Sequence, residues 1–143
     1  MAESQEAAAR AEVEAANAAF YAAIESADLD TMLALWLDAP GSLCVHPGMP
    51  PVHGAGPIGR SWALVMAHTA YIQFFLTDVA VDLRDGVALI TCTENVLTGD
   101  ARTGPDAFGG GKAVATNVFV RTTDGWRLWV HHASPVLSVA DDQ

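Results

Sequence analysis

The sequence predicts an α+β fold, with helices packed on one face of a curved antiparallel sheet. Three observations carry the prediction. Apolar residues recur at helical spacing up to about residue 68. Beyond it come four runs rich in β-formers, arranged as two hairpins around Asp-Gly turns. Helices grouped ahead of a run of hairpins cover one face of a sheet rather than alternating with its strands.

Each element has its own signal. From Ala7 to Ala27, Val13, Ala16, Phe20, Ile24 and Ala27 form one stripe of a long amphipathic helix. Asp28 is placed to cap a second helix whose apolar face is Leu29, Met32, Leu33 and Trp36, and Pro40-Gly41 stops it. Residues 42–46 read as a short strand. Residues 47–57 hold four prolines and three glycines and must be a loop. A third helix spans about Ile58 to His68, with Ile58, Trp62, Val65 and Met66 on one face. Ile72 to Leu83 and Val87 to Leu97 form the first hairpin across Asp85-Gly86. Gly99 to Gly111 is a glycine-rich loop. Val114 to Arg121 and Trp126 to Val136 form the second hairpin across Asp124-Gly125.

Length and composition bound the rest. The chain has 143 residues, which is one domain, residues 1–143 with a core of about 8–137. Hydrophobic residues make up 51% and charged residues 17%, a composition that folds. The net charge of −10 repels phosphate backbones and anionic lipid, so neither nucleic acid nor a membrane surface is an expected partner. No apolar run reaches membrane-span length, and the opening residues lack the basic and apolar regions of a signal peptide. Cys44 and Cys92, each among apolar or β-branched neighbours, read as buried thiols. The expected compartment is the cytoplasm.

Two familiar signals fail. Gly109-Gly110-Gly111-Lys112 is no phosphate loop, because Asp106 and Ala113 stand where that motif needs glycine and Ser or Thr. A metal site from His46, His53, Glu94 and one of His131 and His132 fits no known ligand spacing, so neither metal nor cofactor is expected.

Polar residues among apolar ones mark a candidate pocket. Strict alternation along the last strand puts Trp126, Leu128, Val130, His132 and Ser134 toward the helices, making His132 either a satisfied core histidine or a cavity one. One bulge would exchange it for His131. Asn117 and Glu94 sit mid-strand, where they either solvate an edge or line a polar pocket. His46 ends a strand and leads into a loop that cannot pack tightly. Such a histidine is either merely exposed or a proton-transfer group at a cavity mouth.

A further set of segments is Phe20-Tyr21 through Asp28-Leu-Asp30, Trp36, Cys44-Val45-His46-Pro47-Gly48, Gly59-Arg60-Ser61-Trp62, Ala115-Thr116-Asn117-Val118-Phe119, Trp126-Arg127 and His131-His132-Ala133-Ser134-Pro135. Together these resemble the nuclear transport factor 2-like superfamily, in particular its SnoaL-like branch with polyketide cyclases and ketosteroid isomerases. The closing strand also resembles that of the calcium/calmodulin-dependent kinase association domain. The resemblance implies a conical cystatin-like barrel, three N-terminal helices on a curved sheet with an internal pocket, and a homodimer through the outer sheet face. His46-Pro47 matches the Asp-Pro that supplies the base in ketosteroid isomerases. The oxyanion-hole tyrosine falls on Phe20, with Tyr21 one step off and facing elsewhere. Asn117 is a loose stand-in for the second oxyanion donor, so steroid isomerisation itself is not expected.

The reading that follows is a small-molecule enzyme. Its chemistry is cyclisation, isomerisation or dehydration of an apolar carbonyl-containing intermediate, such as a polyketide or terpenoid. His46 would be the base, and His132 and Asn117 would orient the substrate oxygen. Phe20, Trp36, His53, Trp62 and Glu94 would line the pocket. The alternatives are a non-catalytic pocket that carries or sequesters an apolar small molecule, and an oligomerisation module.

Overall fold

A computed structural model describes residues 2–99 and 108–137. Helix α1 (Ala2–Ser26) is followed by α2 (Leu29–Leu35), strand β1 (Leu43–Val45), strand β2 (Val52–His53) and α3 (Ala55–His68). Four long strands complete the chain: β3 (Tyr71–Arg84), β4 (Val87–Gly99), β5 (Phe108–Thr122) and β6 (Gly125–Pro135). The expected order of helices and hairpins holds. Asp28 is the N-cap of α2, accepting from the Thr31 amide at 3.1 Å and its hydroxyl at 2.7 Å.

The six strands form one sheet in the order β2-β1-β6-β5-β4-β3. The sheet is open rather than a closed barrel, with β2 and β3 as edges. It is also mixed, because β1 lies parallel to β6, pairing Cys44 with His131. Strand β2 falls inside the stretch expected to be loop; its two residues pair with Leu43 and Cys44.

The glycine run is a second departure. Gly109, Gly110 and Gly111 lie in β5, opposite Thr98, Leu97 and Val96 of β4. A Cβ on Gly110 would stand 2.5 Å from the Val96 carbonyl oxygen, so close backbone approach rather than loop freedom requires this glycine. The 100–107 part of the expected loop lies outside the described residues.

Helix α1 buries Val13, Asn17, Phe20, Tyr21 and Ile24 against the sheet. All but Asn17 belong to the hydrophobic core, with Met32, Ile58, Ile90, Phe119 and Leu128. Two irregularities bend the sheet. In β3 the register slips between Thr77 and Ala80, where Asp78 has a φ of 55°. In β6 it slips at Trp129, since Val118 pairs with Val130 while Phe119 pairs with Leu128.

Candidate functional site

The slip at Trp129 decides the site. Before it, Trp126 and Leu128 point inward; after it, His131 and Ala133 do. His132, read as inward from strict alternation, is therefore on the exposed outer face. His131 takes its place, only 2% exposed.

His131 lines a cavity of about 390 Å³ between α1, α3 and the sheet. Ile24, Trp62, Val65, Ile72, Phe74 and Val96 supply apolar wall, and His46 and Glu94 are the other titratable groups facing in. Of the residues expected there, His46, Trp62 and Glu94 are present. Phe20 is packed one layer behind, with its ring 4.8 Å from that of His131 and 5.5 Å from that of Trp62. Trp36 is buried where α2 ends, in a bridge with Leu128, and lines no part of the cavity. His53 is exposed on edge strand β2, away from the cavity. His53 therefore does not join His46, Glu94 and His131 at the cavity, and no group of three side chains placed to hold a metal ion forms among the described residues.

The floor of the cavity rests on a buried hydrogen-bond chain. His131 Nδ1 lies 2.6 Å from Asn117 Oδ1. The Asn117 amide donates to Asn17 Oδ1 at 2.9 Å and to the Tyr21 hydroxyl at 3.2 Å. Tyr21 in turn donates to Glu94 Oε2 at 2.6 Å. Two residues here escaped the sequence reading. Tyr21 was expected to face elsewhere, but α1 is buried over an arc wide enough to enclose both Phe20 and Tyr21. Asn17 sits on the same inward stripe as Val13 and Phe20, and its polarity there was the available signal. Asn117 faces inward as expected but spends its groups on the protein, not on a substrate oxygen.

Donor and acceptor roles follow from this chain. Both Asn117 donor bonds fix its amide orientation, so Oδ1 accepts and His131 Nδ1 carries the proton. Burial, with smaller contributions from the charges of His46 and His132, pushes the His131 pKa down to about 3. The ring is neutral near pH 7 and its Nε2 is a lone pair. His46 is fixed in the same way. Its Nε2 lies 3.0 Å from Ser61 Oγ, whose hydroxyl donates to the Ile58 carbonyl at 2.7 Å. Ser61 can then only accept, so His46 Nε2 carries the proton and Nδ1 is free to act as a base. Burial holds the His46 pKa below the ordinary histidine value. Glu94 is shifted the opposite way, upward by burial and partly restored by the Tyr21 hydrogen bond. Cys44 and Cys92 are buried free thiols, and burial raises Cys44 to about 12.

The arrangement places a neutral base and a carboxyl of raised pKa in an apolar chamber, which is a setting for proton transfer. Among the described residues, no helix is long and apolar enough to cross a membrane.

Known proteins extend this picture. Residues 13–138 match the profile of the SnoaL-like domain. A Streptomyces avermitilis crystal structure of the NTF2-like family, provisionally named a dehydratase, is 49% identical over 92% of this chain and 98% of its own, with a TM-score of 0.85. A Thiobacillus denitrificans structure, provisionally named a calcium/calmodulin-dependent protein kinase type II association domain, is 31% identical over 87% of this chain and 94% of its own, at 0.76. An NTF2-like protein from Novosphingobium aromaticivorans with a cystatin-like fold shares that fold at 19% identity over 97% of this chain and 89% of its own, at 0.77. No curated protein matches. With the profile spanning nearly the whole chain and a 49% identical relative aligned along almost all of it, the protein belongs to the SnoaL-like domain family of the NTF2-like superfamily.

Proposed function

We propose that this protein is a lyase that removes water from a small, apolar, carbonyl-containing compound by acid–base catalysis. The observation that carries the proposal is the 3.0 Å contact of His46 Nε2 with Ser61 Oγ, whose own proton goes to the Ile58 carbonyl. With Nε2 as the donor in that contact, Nδ1 is left as a base beside an apolar chamber that also holds Glu94. The dehydratase designation of the 49% identical relative supports the choice of reaction.

The step balances without a cofactor. His46 Nδ1 takes the proton α to the carbonyl, the C–C double bond forms, and the C–O bond at the β carbon breaks. Protonated Glu94 delivers its proton to the departing hydroxyl, which leaves as water. Proton exchange with solvent resets both residues. A chamber of about 390 Å³ is at the small end of ligand pockets and suits one or two rings. A homodimer through the outer sheet face is part of the reading. That face leaves Phe75, Leu89, Val114 and Trp129 exposed. Two buried, unlinked cysteines fit work in the reducing cytoplasm.

The test is a panel of one- and two-ring β-hydroxy ketones, followed by mass spectrometry for loss of one water. Wild type should dehydrate members of the panel. His46→Gln and Glu94→Gln should each slow the reaction by roughly 10²-fold or more. Binding without water loss by any protein would replace this reading with a carrier.

A further inference from the structure

The hydrogen-bond chain behind His131 has a consequence for what the cavity can bind, on the reading that this cavity is the substrate site. Among the described residues, only the indole nitrogens of Trp36 and Trp62 are fully buried side-chain nitrogens or oxygens without a partner. His131 Nε2 makes no hydrogen bond among the described residues either, yet it is not sealed, so it opens to the cavity its ring lines. It is a lone pair on a side chain 98% buried, in apolar surroundings formed by Phe20 and Trp62.

A lone pair accepts and cannot donate. A carbonyl, ether or carboxylate oxygen brought to this nitrogen would meet it lone pair to lone pair. Only an O–H or N–H on the ligand completes the bond. Of the nearby donors, Tyr21 is committed to Glu94 and the Asn117 amide to Asn17 and Tyr21, while the unpartnered Trp62 indole N–H is buried and sealed from the cavity. Lys112 is at the rim, but Ala113 and Ala115 face inward and Lys112, opposite Asn95, has the outward parity.

We infer that the site takes a neutral apolar ring compound bearing a free hydroxyl, phenolic or enolic, which donates to His131 Nε2, and that Asn17 and Asn117 are positioning residues that set this selectivity by fixing the His131 tautomer. The hydroxyl recognised here is distinct from the one lost in the reaction.

Two measurements test this. ¹⁵N NMR of the wild-type protein between pH 5 and 8 should show His131 neutral and protonated at Nδ1. An Nε2-protonated or cationic ring overturns the inference, and no variant has to fold for that result. Calorimetry with β-naphthol and its methyl ether then reads the selectivity. β-Naphthol should bind about tenfold or more tightly than the ether, the scale of one buried hydrogen bond left unmade. His131→Phe, which keeps a ring against Phe20, should bring the ratio to about one. Asn117→Asp should place a carboxylate against Nδ1, charge the ring and erase the preference, with the charged ring visible in the nitrogen spectrum.

Equal affinity in wild type, failure of both probes to bind, or a ratio unchanged in His131→Phe overturns the inference. The two readings fail separately. Hydroxyl preference with no dehydration of any compound removes the lyase and leaves the selectivity. Equal kcat/KM for substrates with and without a second, unmethylated hydroxyl does the reverse.

Discussion

His131 Nδ1 meets Asn117 Oδ1 at 2.6 Å beneath the cavity, and this bond settles which ring nitrogen carries the proton while burial keeps the ring neutral. Every donor along the path from His131 through Asn117 and Tyr21 to Glu94 is matched to an acceptor. Buried polar groups on this scale are tolerated because each is paired. The cavity therefore has a rigid polar floor under apolar walls.

The first expected outcome concerns acid. The His131 pKa is about 3 in the folded protein against 6.5 for an ordinary histidine. Between those values the unfolded chain binds the extra proton, so stability is full above about pH 6.5 and falls as pH drops toward 3. His46 acts in the same sense, and Glu94, raised by burial, loses stability in the opposite direction as pH rises. Comparison with His131→Phe isolates the one ring. From pH 7 to pH 5, wild type should lose about 2 kcal/mol more than the variant, read from urea midpoints. Parallel losses would mean that His131 is not held neutral.

Gly110 and Gly111 are neighbours with different surroundings. A methyl group at Gly110 would collide with the Val96 carbonyl, which is backbone and cannot swing away, whereas at Gly111 it would meet nothing within 4 Å. Gly110→Ala should cost about 1–3 kcal/mol, and Gly111→Ala should leave the thermal midpoint nearly unchanged or raised. Equal shifts would contradict the strand pairing beside the cavity.

The bulge at Trp129 makes a test between adjacent histidines. His132→Ala, on the outer face, should leave turnover and ligand affinity within about twofold of wild type, as surface changes do. His131→Phe should lower both. The opposite pattern would restore unbroken alternation along β6.

These cases show which features the amino-acid pattern carries. Helical spacing, the Asp28 cap and the Asp-Gly turns are local signals, and the helices and hairpins followed them. His46, Trp62 and Glu94 were legible because a strand-end histidine, an inward helix position and a mid-strand carboxylate each break their surroundings. His131 was not, because Trp129 is apolar on either face and nothing local marks it as the bulged residue. Tyr21 was not, because the burial of α1 depends on how far the sheet wraps around it. His53 and Trp36 were misplaced for a related reason. β2 pairs at the sheet edge and Trp36 is used up as core, which are tertiary outcomes.

The outer sheet face gives a further expectation. Phe75, Val114 and Trp129 are 54%, 48% and 39% exposed there. Sedimentation of wild type should report a dimer, twice the 15.0 kDa chain. Val114→Glu should shift it toward monomer, because a desolvated unpaired carboxylate is costly. A wild-type monomer at all concentrations would remove the dimer from the account.

The central claim is that His46 does chemistry in this cavity. Native mass spectrometry tests it most directly, on wild type and His46→Ala after incubation with a small-molecule extract of the source cells. The account predicts that His46→Ala retains a compound which wild type holds or releases lighter by one water. The same unmodified compound on both proteins would contradict it, and His46 would then have no catalytic role.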